Sequence, residues 1–452
     1  MAVLRSINPF NPARIINYPQ VSDMNLLLQL SRSHTAFIQY RDSSFKKRAK
    51  RMMRVSEILR ERSREYAEAI TAEMGKPVGE AEAEVRKCAW VCEYYAEHAE
   101  GFLLPQYIET EADESLVTFE ALGPVLAVMP WNFPFWQVFR FAAPALMAGN
   151  TVLLKHASNV QGCAGMIESI FPEAGYKEGI FQNLAIGSDR VASVIASEYV
   201  RAVTLTGSEP AGVAVAAEAG RHLKKCVLEL GGNNAFVVLN DANQELALNL
   251  AVSARMQNGG QSCIAAKRFI LESWISVDFI PRLVDKVKEL VVGDPMEEAT
   301  QVGPLVSVDQ AKEVEAQVAE SVKKGAKLQW GGKRNGPFYD PTILTGVTPG
   351  MPVFDEEVFG PVFAIMEAES PRHALELSNQ SKFGLGVQLF TQSEDSMDLF
   401  VKGAHEGAVF VNAMVKSDPR LPFGGTKRSG YGRELSEEGI KEFVNIKTVW
   451  IG

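Results

Sequence analysis

The residue best suited to do chemistry is Cys263, which closes the segment Asn-Gly-Gly-Gln-Ser-Cys at positions 258–263. Small and polar neighbours allow close approach to the backbone and leave a thiol accessible. A free thiol has a pKa of about 8.5, so a nucleophilic role requires neighbours that favour the thiolate. Cysteines are otherwise among the most often buried residues, so the other motifs of the chain must decide between a reactive and a structural thiol.

Three further motifs combine chemical groups with tight turns. They are Pro-Trp-Asn-Phe-Pro at 130–134, Leu-Glu-Leu-Gly-Gly at 228–232 and Glu-Glu-Val-Phe-Gly-Pro at 356–361. The second places Glu229 between two leucines, where burial raises the pKa of a carboxyl and suits it to act as a base. With Cys263 between the second and third, the motifs in this order resemble the aldehyde dehydrogenase superfamily, from about residue 7 to the C-terminus.

The resemblance implies covalent catalysis. The Cys263 thiolate attacks an aldehyde carbon, and the Asn132 amide and the Cys263 backbone N–H stabilise the oxygen of the thiohemiacetal. Hydride transfer to a nicotinamide leaves a thioester, which is hydrolysed by water that Glu229 activates. Ala265 stands two residues beyond the nucleophile, so the disulfide switch of some relatives is not expected.

The cofactor motif differs from the standard dinucleotide fingerprint, because no Gly-x-Gly-x-x-Gly occurs. Instead a Gly-x-x-x-x-Gly pattern runs from Gly207 to Gly212, after a predicted strand and at the start of a helix. Gly207 is expected to let the backbone turn, and Ser208 with the helix N-terminus to face the pyrophosphate. By resemblance, further cofactor contacts are assigned to Trp131, Lys155, Ser158, Gly212, Leu230, Glu357 and Phe359.

Ser158 bears on the choice of cofactor. Many NAD-preferring relatives carry a glutamate there, three residues after Lys155, and its carboxylate repels the 2′-phosphate of NADP. Ser158 removes that charge, while Lys155 remains as a cation for the phosphate. NADP is therefore the expected cofactor, with NAD also accepted. The alternative is that Ser158 only caps the following helix. His156 is expected to be structural.

Substrate choice is predicted from Asn132, Trp136 and Arg140, which are spaced by four and are expected to share one face of a helix. Arg140 is then an isolated cation that points toward the pocket of the nucleophile. Relatives that oxidise succinate semialdehyde carry an arginine here. The resemblance implies that it binds the distal carboxylate of the substrate.

The same relatives carry a serine at the position of Ser417, six residues before Phe423, and both residues are assigned to the substrate pocket. Some members use a second arginine six residues before the nucleophile. This chain has Gln257 there, so carboxylate binding is expected to be weaker or different in geometry. The predicted function is oxidation of succinate semialdehyde to succinate with NADP or NAD. The alternatives are a dehydrogenase of broad aldehyde range, in which Arg140 is structural, and a catalytically silent protein of the same fold.

Composition limits partners and location. The 452 residues include 46% hydrophobic and 22% charged ones, as in a soluble globular protein, and the net charge of -9 argues against nucleic acid or an anionic membrane as the main partner. The sequence shows no secretory segment and no membrane-spanning apolar run. Five cysteines are too sparse for a disulfide framework, and Cys88 and Cys92 lack metal-site spacing. No metal and a cytoplasmic location are therefore expected.

Periodicity predicts the elements that position these residues. Residues 44–74 and 79–102 are expected to form amphipathic helices that only pack against the cofactor domain, and 107–119 alternates like a hairpin. Short apolar runs that alternate with helical segments predict βαβ units and a parallel sheet. These runs lie at 125–129, 151–155, 181–186, 203–206 and 227–230.

The predicted fold class is α/β, with a Rossmann-type cofactor domain, an α/β catalytic domain and a small oligomerisation hairpin and tail, as in aldehyde dehydrogenases. The cofactor domain is assigned to 1–103 and 122–231, and the catalytic domain to 232–431. The oligomerisation elements are assigned to 104–121 and 432–452. The tail is expected to pair with a neighbouring subunit in a homodimer or homotetramer.

Overall fold

A computed structural model describes residues 2–452. The chain begins with a hairpin and four helices: β1 (Val3–Ile7), β2 (Ile15–Pro19), α1 (Asp23–Tyr40), α2 (Phe45–Glu61), α3 (Ser63–Met74) and α4 (Val78–Phe102). The predicted helix at 44–74 is therefore two helices, which meet at Arg62, where the backbone leaves the helical range. Gly75 ends α3 in the left-handed conformation with φ of 82°, as a C-terminal glycine does.

The predicted hairpin follows as β3 (Gln106–Tyr107) and β4 (Glu114–Ala121), which pair antiparallel. A first α/β unit comes next. It consists of β5 (Pro124–Met129), α5 (Trp136–Ala148), β6 (Thr151–His156), α6 (Gln161–Glu173), β7 (Phe181–Asn183), α7 (Val191–Ala196), β8 (Ala202–Thr206), α8 (Glu209–Arg221) and β9 (Lys225–Glu229). These strands form a parallel sheet in the order β9-β8-β5-β6-β7, which confirms the predicted βαβ pattern.

A second α/β unit carries the rest of the core. Its elements are β10 (Asn234–Val238), α9 (Gln244–Met256), β11 (Ala266–Glu272), α10 (Ser273–Lys288), α11 (Val308–Lys323), β12 (Lys327–Trp330), β13 (Arg334–Asn335), β14 (Phe338–Tyr339), β15 (Thr342–Thr345), α12 (Pro352–Asp355), β16 (Val362–Ala368), α13 (Pro371–Asn379), β17 (Phe383–Gly384), β18 (Val387–Phe390), α14 (Glu394–Gly403) and β19 (Val409–Val411). The main sheet has the order β12-β15-β16-β11-β10-β18-β19, and β12 runs antiparallel to its neighbour.

The chain ends with β20 (Thr426–Lys427), β21 (Gly430–Tyr431), α15 (Ser436–Lys441) and β22 (Val444–Ile451). β22 pairs with β4 of the same chain along its whole length and leaves its other edge without a strand partner within residues 2–452, so pairing of the tail with a neighbouring subunit stays a prediction. β21 pairs with β9, with Gly430 opposite Glu229, so the tail also closes one edge of the first sheet. Across residues 2–452, every helix is too short or too polar to cross a bilayer.

Candidate active site

A cavity of about 480 Å³ lies between α4, α5, the segment before β11 and the loop that precedes β20. Its wall includes five residues that the sequence assigns to catalysis or substrate binding, namely Trp136, Arg140, Cys263, Ser417 and Phe423. Gln257, which stands where some relatives have a second arginine, lines the same cavity and accepts a hydrogen bond from the Ser262 hydroxyl at 3.3 Å. The structure therefore brings the nucleophile and the predicted substrate residues to one space.

The segment that presents Cys263 has an unusual backbone. Asn258, Gly259 and Gly260 are all left-handed, with φ of 54°, 59° and 79°. At Gly260 a Cβ would overlap with the carbonyl of Gly360, so only glycine fits. These turns bring Cys263 to the cavity wall while its backbone stays anchored, because Lys267 Nζ donates to the Cys263 carbonyl at 2.8 Å.

The Cys263 side chain is partly accessible. Burial nevertheless raises the pKa of the thiol to about 11, against the opposing charges of Lys267 and Arg140. The cations that the sequence analysis required are present, but desolvation outweighs them. The resting residue is therefore a protonated thiol, and attack on a substrate requires a base.

Glu229 is the carboxyl that the sequence assigns to water activation. It ends β9, where it lies opposite Thr206 of β8, and its backbone carbonyl accepts from Gly207 N at 3.0 Å. Its side chain is 2% exposed. Burial raises its pKa well above the ordinary value, and the nearby Glu434 raises it further, whereas Arg140 opposes the shift. The direction agrees with the expectation from its two leucine neighbours.

Arg140 is not the isolated cation that the helical spacing suggests. Its Nε forms a buried ion pair with the carboxylate of Glu434. The guanidinium also lies over the Phe423 ring, 4.7 Å from its centroid, and Nη2 donates to Thr206 Oγ1 at 3.4 Å. Glu434 was missed in the sequence, where it follows an ordinary Gly-Tyr-Gly-Arg turn that gives no sign of a buried acid.

Asn132 lies before the helix and not on its face, because α5 begins at Trp136. Its side chain is buried, and Nδ2 donates to the Gln261 carbonyl at 3.1 Å. Asn132 is thus tied to the segment that carries Cys263, two residues from the nucleophile. The helix start itself is held by Glu84, whose Oε1 accepts from the backbone N–H groups of Phe135 and Trp136 at 2.9 Å each.

The expectation that α4 only packs is wrong. Glu80, Glu84 and Lys87, spaced by four and three, all line the cavity from one face of this helix. Glu80 accepts from Asn258 N at 2.7 Å, and burial raises its pKa to about 7. The sequence contained a sign of this role, because these charged residues lie beside Cys88 on the face of the helix that was expected to be buried. Charged residues on a buried face require a partner or a function.

Several of the predicted cofactor residues lie at the carboxyl ends of β6, β8 and β9. Lys155 is buried in β6, and burial lowers its pKa. Ser158 is exposed, and it does not cap α6. The cap position is Val160, and the Glu73 carboxylate instead accepts from Gly162 N and Cys163 N at 2.9 Å each. The capping alternative for Ser158 is therefore wrong.

The Gly-x-x-x-x-Gly turn is only partly as expected. Gly207 is outside the left-handed region, and a Cβ there would meet only Leu205 at 3.6 Å, so this turn does not require glycine. Gly212 packs closely on Leu230, and a Cβ there would lie 2.6 Å from Leu230 Cδ2, so a larger residue would require the Leu230 side chain to shift. Ser208 is exposed at the N-terminus of α8 and makes no side-chain bond to that helix.

Trp131 follows β5, and Glu357 and Phe359 lie between α12 and β16. The Trp131 and Phe359 rings meet edge to face with centroids 5.7 Å apart. Glu357 Oε1 accepts from Gly232 N at 3.0 Å and lies 3.2 Å from Lys267 Nζ. Burial lowers the pKa of His156 to about 4, so its ring is neutral; Nε2 donates to the Pro134 carbonyl at 2.9 Å and Nδ1 accepts from Ala157 N at 3.0 Å.

A parallel α/β sheet with open helix N-termini, next to a cavity that holds a cysteine and a buried carboxyl, is typical of dinucleotide-dependent enzymes that act through a thiol. Residues 2–449 match the aldehyde dehydrogenase family, and the chain belongs to that family. This confirms the predicted family and the predicted fold class.

Individual relatives are similar over nearly their whole length. A protein of Synechocystis sp. described as a probable NADP(+) succinate-semialdehyde dehydrogenase is 46% identical over 451 residues, or 99% of each chain. An Escherichia coli NAD(P)+ succinate semialdehyde dehydrogenase is 44% identical over 98% of this chain and 97% of its own. The Streptococcus pyogenes succinic semialdehyde dehydrogenase, solved with NADP+, is 37% identical, with a TM-score of 0.97 and 99% of each chain covered.

Proposed function

We propose that this protein oxidises succinate semialdehyde to succinate, with NADP as the preferred cofactor and NAD also accepted. The observation that carries the proposal is one cavity whose wall holds the Cys263 thiol together with Arg140 and Ser417. A guanidinium and a hydroxyl are suited to a carboxylate, and a thiol is suited to an aldehyde carbon. The relatives named above carry this activity in their descriptions.

The chemistry begins with transfer of the Cys263 proton to water, since burial keeps the thiol protonated. The thiolate adds to the aldehyde carbon, and the new oxyanion takes hydrogen bonds from Cys263 N–H and the Asn132 amide. The Asn132 amide has two N–H bonds, of which one is used on the Gln261 carbonyl. Glu229 then acts as the base for the water that hydrolyses the thioester, a role that its raised pKa suits.

The residues of the first sheet fit a dinucleotide. Ser208 and the uncapped start of α8 offer N–H groups to a pyrophosphate, and Lys155 and Ser158 offer a cation and a hydroxyl to the adenosine ribose and its 2′-phosphate. Glu357, Phe359 and Trp131 would hold the nicotinamide end, next to Gly207, Gly212 and Leu230. When bound, the nicotinamide supplies the hydride acceptor.

A broad aldehyde range is a second candidate, because the Arg140–Glu434 ion pair gives Arg140 a structural partner. Rates of NADPH and NADH formation with succinate semialdehyde and butanal separate the two. The proposal expects a kcat/KM for succinate semialdehyde at least about 100-fold above that for butanal, as for a buried charge contact. Equal values for both aldehydes would support the broad-range enzyme.

We further propose the domain limits given above, with cofactor binding in 1–103 and 122–231 and catalysis in 232–431. The hairpin at 104–121 and the tail at 432–452 are proposed to build a homodimer or homotetramer in the cytoplasm. Their support is the exposed edge strand β22, since unpaired edges are ready to pair with another chain. Sedimentation of the intact protein tests the assembly, and a monomer at micromolar concentration would contradict it.

A further inference from the structure

The cavity wall carries two acidic and two basic side chains, namely Glu80, Glu84, Lys87 and Arg140. Buried Lys76 pairs with Glu84, Arg140 pairs with Glu434, and Asp418 pairs with Arg420. Lys87 is different, because within residues 2–452 it has no carboxylate within ion-pair distance. One cation on the cavity wall is therefore left without a counter-charge.

The surroundings of Lys87 point it into the cavity. Its Nζ donates to Ser417 Oγ at 2.8 Å and lies 4.1 Å from the centre of the Trp136 ring, and all three residues line the cavity. Burial and, to a smaller extent, the Arg140 charge lower the pKa of Lys87 to about 8, so the ammonium still carries its proton at neutral pH. An enclosed, uncompensated cation is costly unless an anion completes it.

The hydrogen bond from Lys87 also determines how the Ser417 hydroxyl can bind an anion. Because Ser417 Oγ accepts from Lys87, its own O–H is free to donate in another direction. Lys87 itself has two further N–H bonds. Together the two side chains offer an anion a point charge and a neutral donor, both on the wall that also carries Cys263.

We propose that Lys87 is a specificity residue that binds the distal carboxylate of the substrate together with Ser417. The inference rests on the proposed oxidation of a carboxylated aldehyde and names a residue for it on α4. In this arrangement Lys87 supplies the second cation that the uncharged Gln257 does not. Arg140, which shares its charge with Glu434, is left as the weaker anion partner.

The test compares Lys87→Met with Lys87→Arg and with Lys416→Met. Lys416 is exposed, outside the cavity wall and next to Ser417, so the control removes the same charge nearby. Lys87→Met is expected to raise KM for succinate semialdehyde about 10- to 100-fold, as for loss of a hydrogen bond to a charged group. Its kcat and KM for butanal should stay within about twofold. Lys87→Arg should recover most of the loss, and Lys416→Met should change neither substrate.

Equal changes of KM for both aldehydes in Lys87→Met would overturn the role of Lys87. So would a normal KM for succinate semialdehyde. A wild-type enzyme that does not prefer succinate semialdehyde over butanal would instead contradict the proposed function itself. If Lys87→Met does not fold, Lys87→Gln and Lys87→Arg are compared instead. The charged Lys87→Arg must then prefer succinate semialdehyde over butanal more strongly than the neutral Lys87→Gln. If Lys87→Gln and Lys87→Arg prefer succinate semialdehyde over butanal to the same extent, the inference is also overturned.

Discussion

Replacement of Arg140 by methionine leaves the Glu434 carboxylate buried without its cation, since their side chains are only 2% and 3% exposed. Removal of one partner of a buried ion pair costs about 3–5 kcal/mol of stability. Removal of both charges costs far less, because neither ion is then left buried without its partner. Arg140→Met should therefore be strongly destabilised, and the double variant Arg140→Met/Glu434→Gln should recover most of the loss.

The loss should depend on pH in a defined direction. Burial already raises the pKa of Glu434, and Arg140 is the charge that lowers it. Without Arg140 the folded pKa rises further above the unfolded value of about 4.3. The folded protein then binds an extra proton, so Arg140→Met is least destabilised below about pH 4.3. Its stability falls by up to about 1.4 kcal/mol per pH unit as pH rises toward the folded pKa.

Urea midpoints at several pH values between about 4 and 8, followed by tryptophan fluorescence, measure this effect. The difference in the free energy of unfolding between Arg140→Met and the double variant, called the gap here, should widen with rising pH. A gap that is absent or independent of pH would refute the idea that Glu434 carries the loss. The double variant also tests substrate recognition. If its KM for succinate semialdehyde, relative to butanal, matches that of Glu434→Gln alone, Arg140 supports the fold and does not contact the carboxylate.

Three further predictions concern the proposed chemistry. Glu229→Gln should give a burst of about one NADPH per subunit followed by slow turnover, because thioester hydrolysis needs the base; unchanged steady-state rates would assign that role elsewhere. Ser158→Glu should lose activity with NADP and keep it with NAD, since the carboxylate repels the 2′-phosphate; a parallel loss with both cofactors would contradict the assignment. Alkylation of Cys263 by iodoacetamide in the ligand-free enzyme, followed by peptide mass spectrometry, should accelerate from pH 7 toward its pKa of about 11; a plateau near pH 7 would show that the thiolate is already present.

Much of the fold could be predicted because burial is periodic along the chain. The strands of the first sheet are apolar on both faces, and each run ends where a chemical motif begins, as with Glu229 at the end of β9. The carboxyl ends of parallel strands meet at one edge, so residues far apart in sequence could be placed together. The helix break at Arg62 was not visible, because the charged and apolar residues on both sides keep one helical period.

The charge partners of the cavity could not be predicted from the local pattern. Glu434 pairs with Arg140 although the two are far apart in the sequence, and Lys87 meets Ser417 across 330 positions. Local spacing gives the face of a helix but not the element that packs against it. Arg140 therefore looked isolated, and α4 looked like packing alone. The pairing of β22 with β4 was hidden for the same reason, since an edge strand carries no mark of its partner.

The central claim is that Cys263 forms a succinyl thioester during oxidation of succinate semialdehyde. The most direct measurement is peptide mass mapping of Glu229→Gln protein that has been mixed with succinate semialdehyde and NADP and quenched in acid. The account predicts a succinyl group on the peptide that contains Cys263, and none in the double variant with Cys263→Ala. A succinyl group on another residue, or NADPH formation that continues after Cys263→Ala, would contradict it.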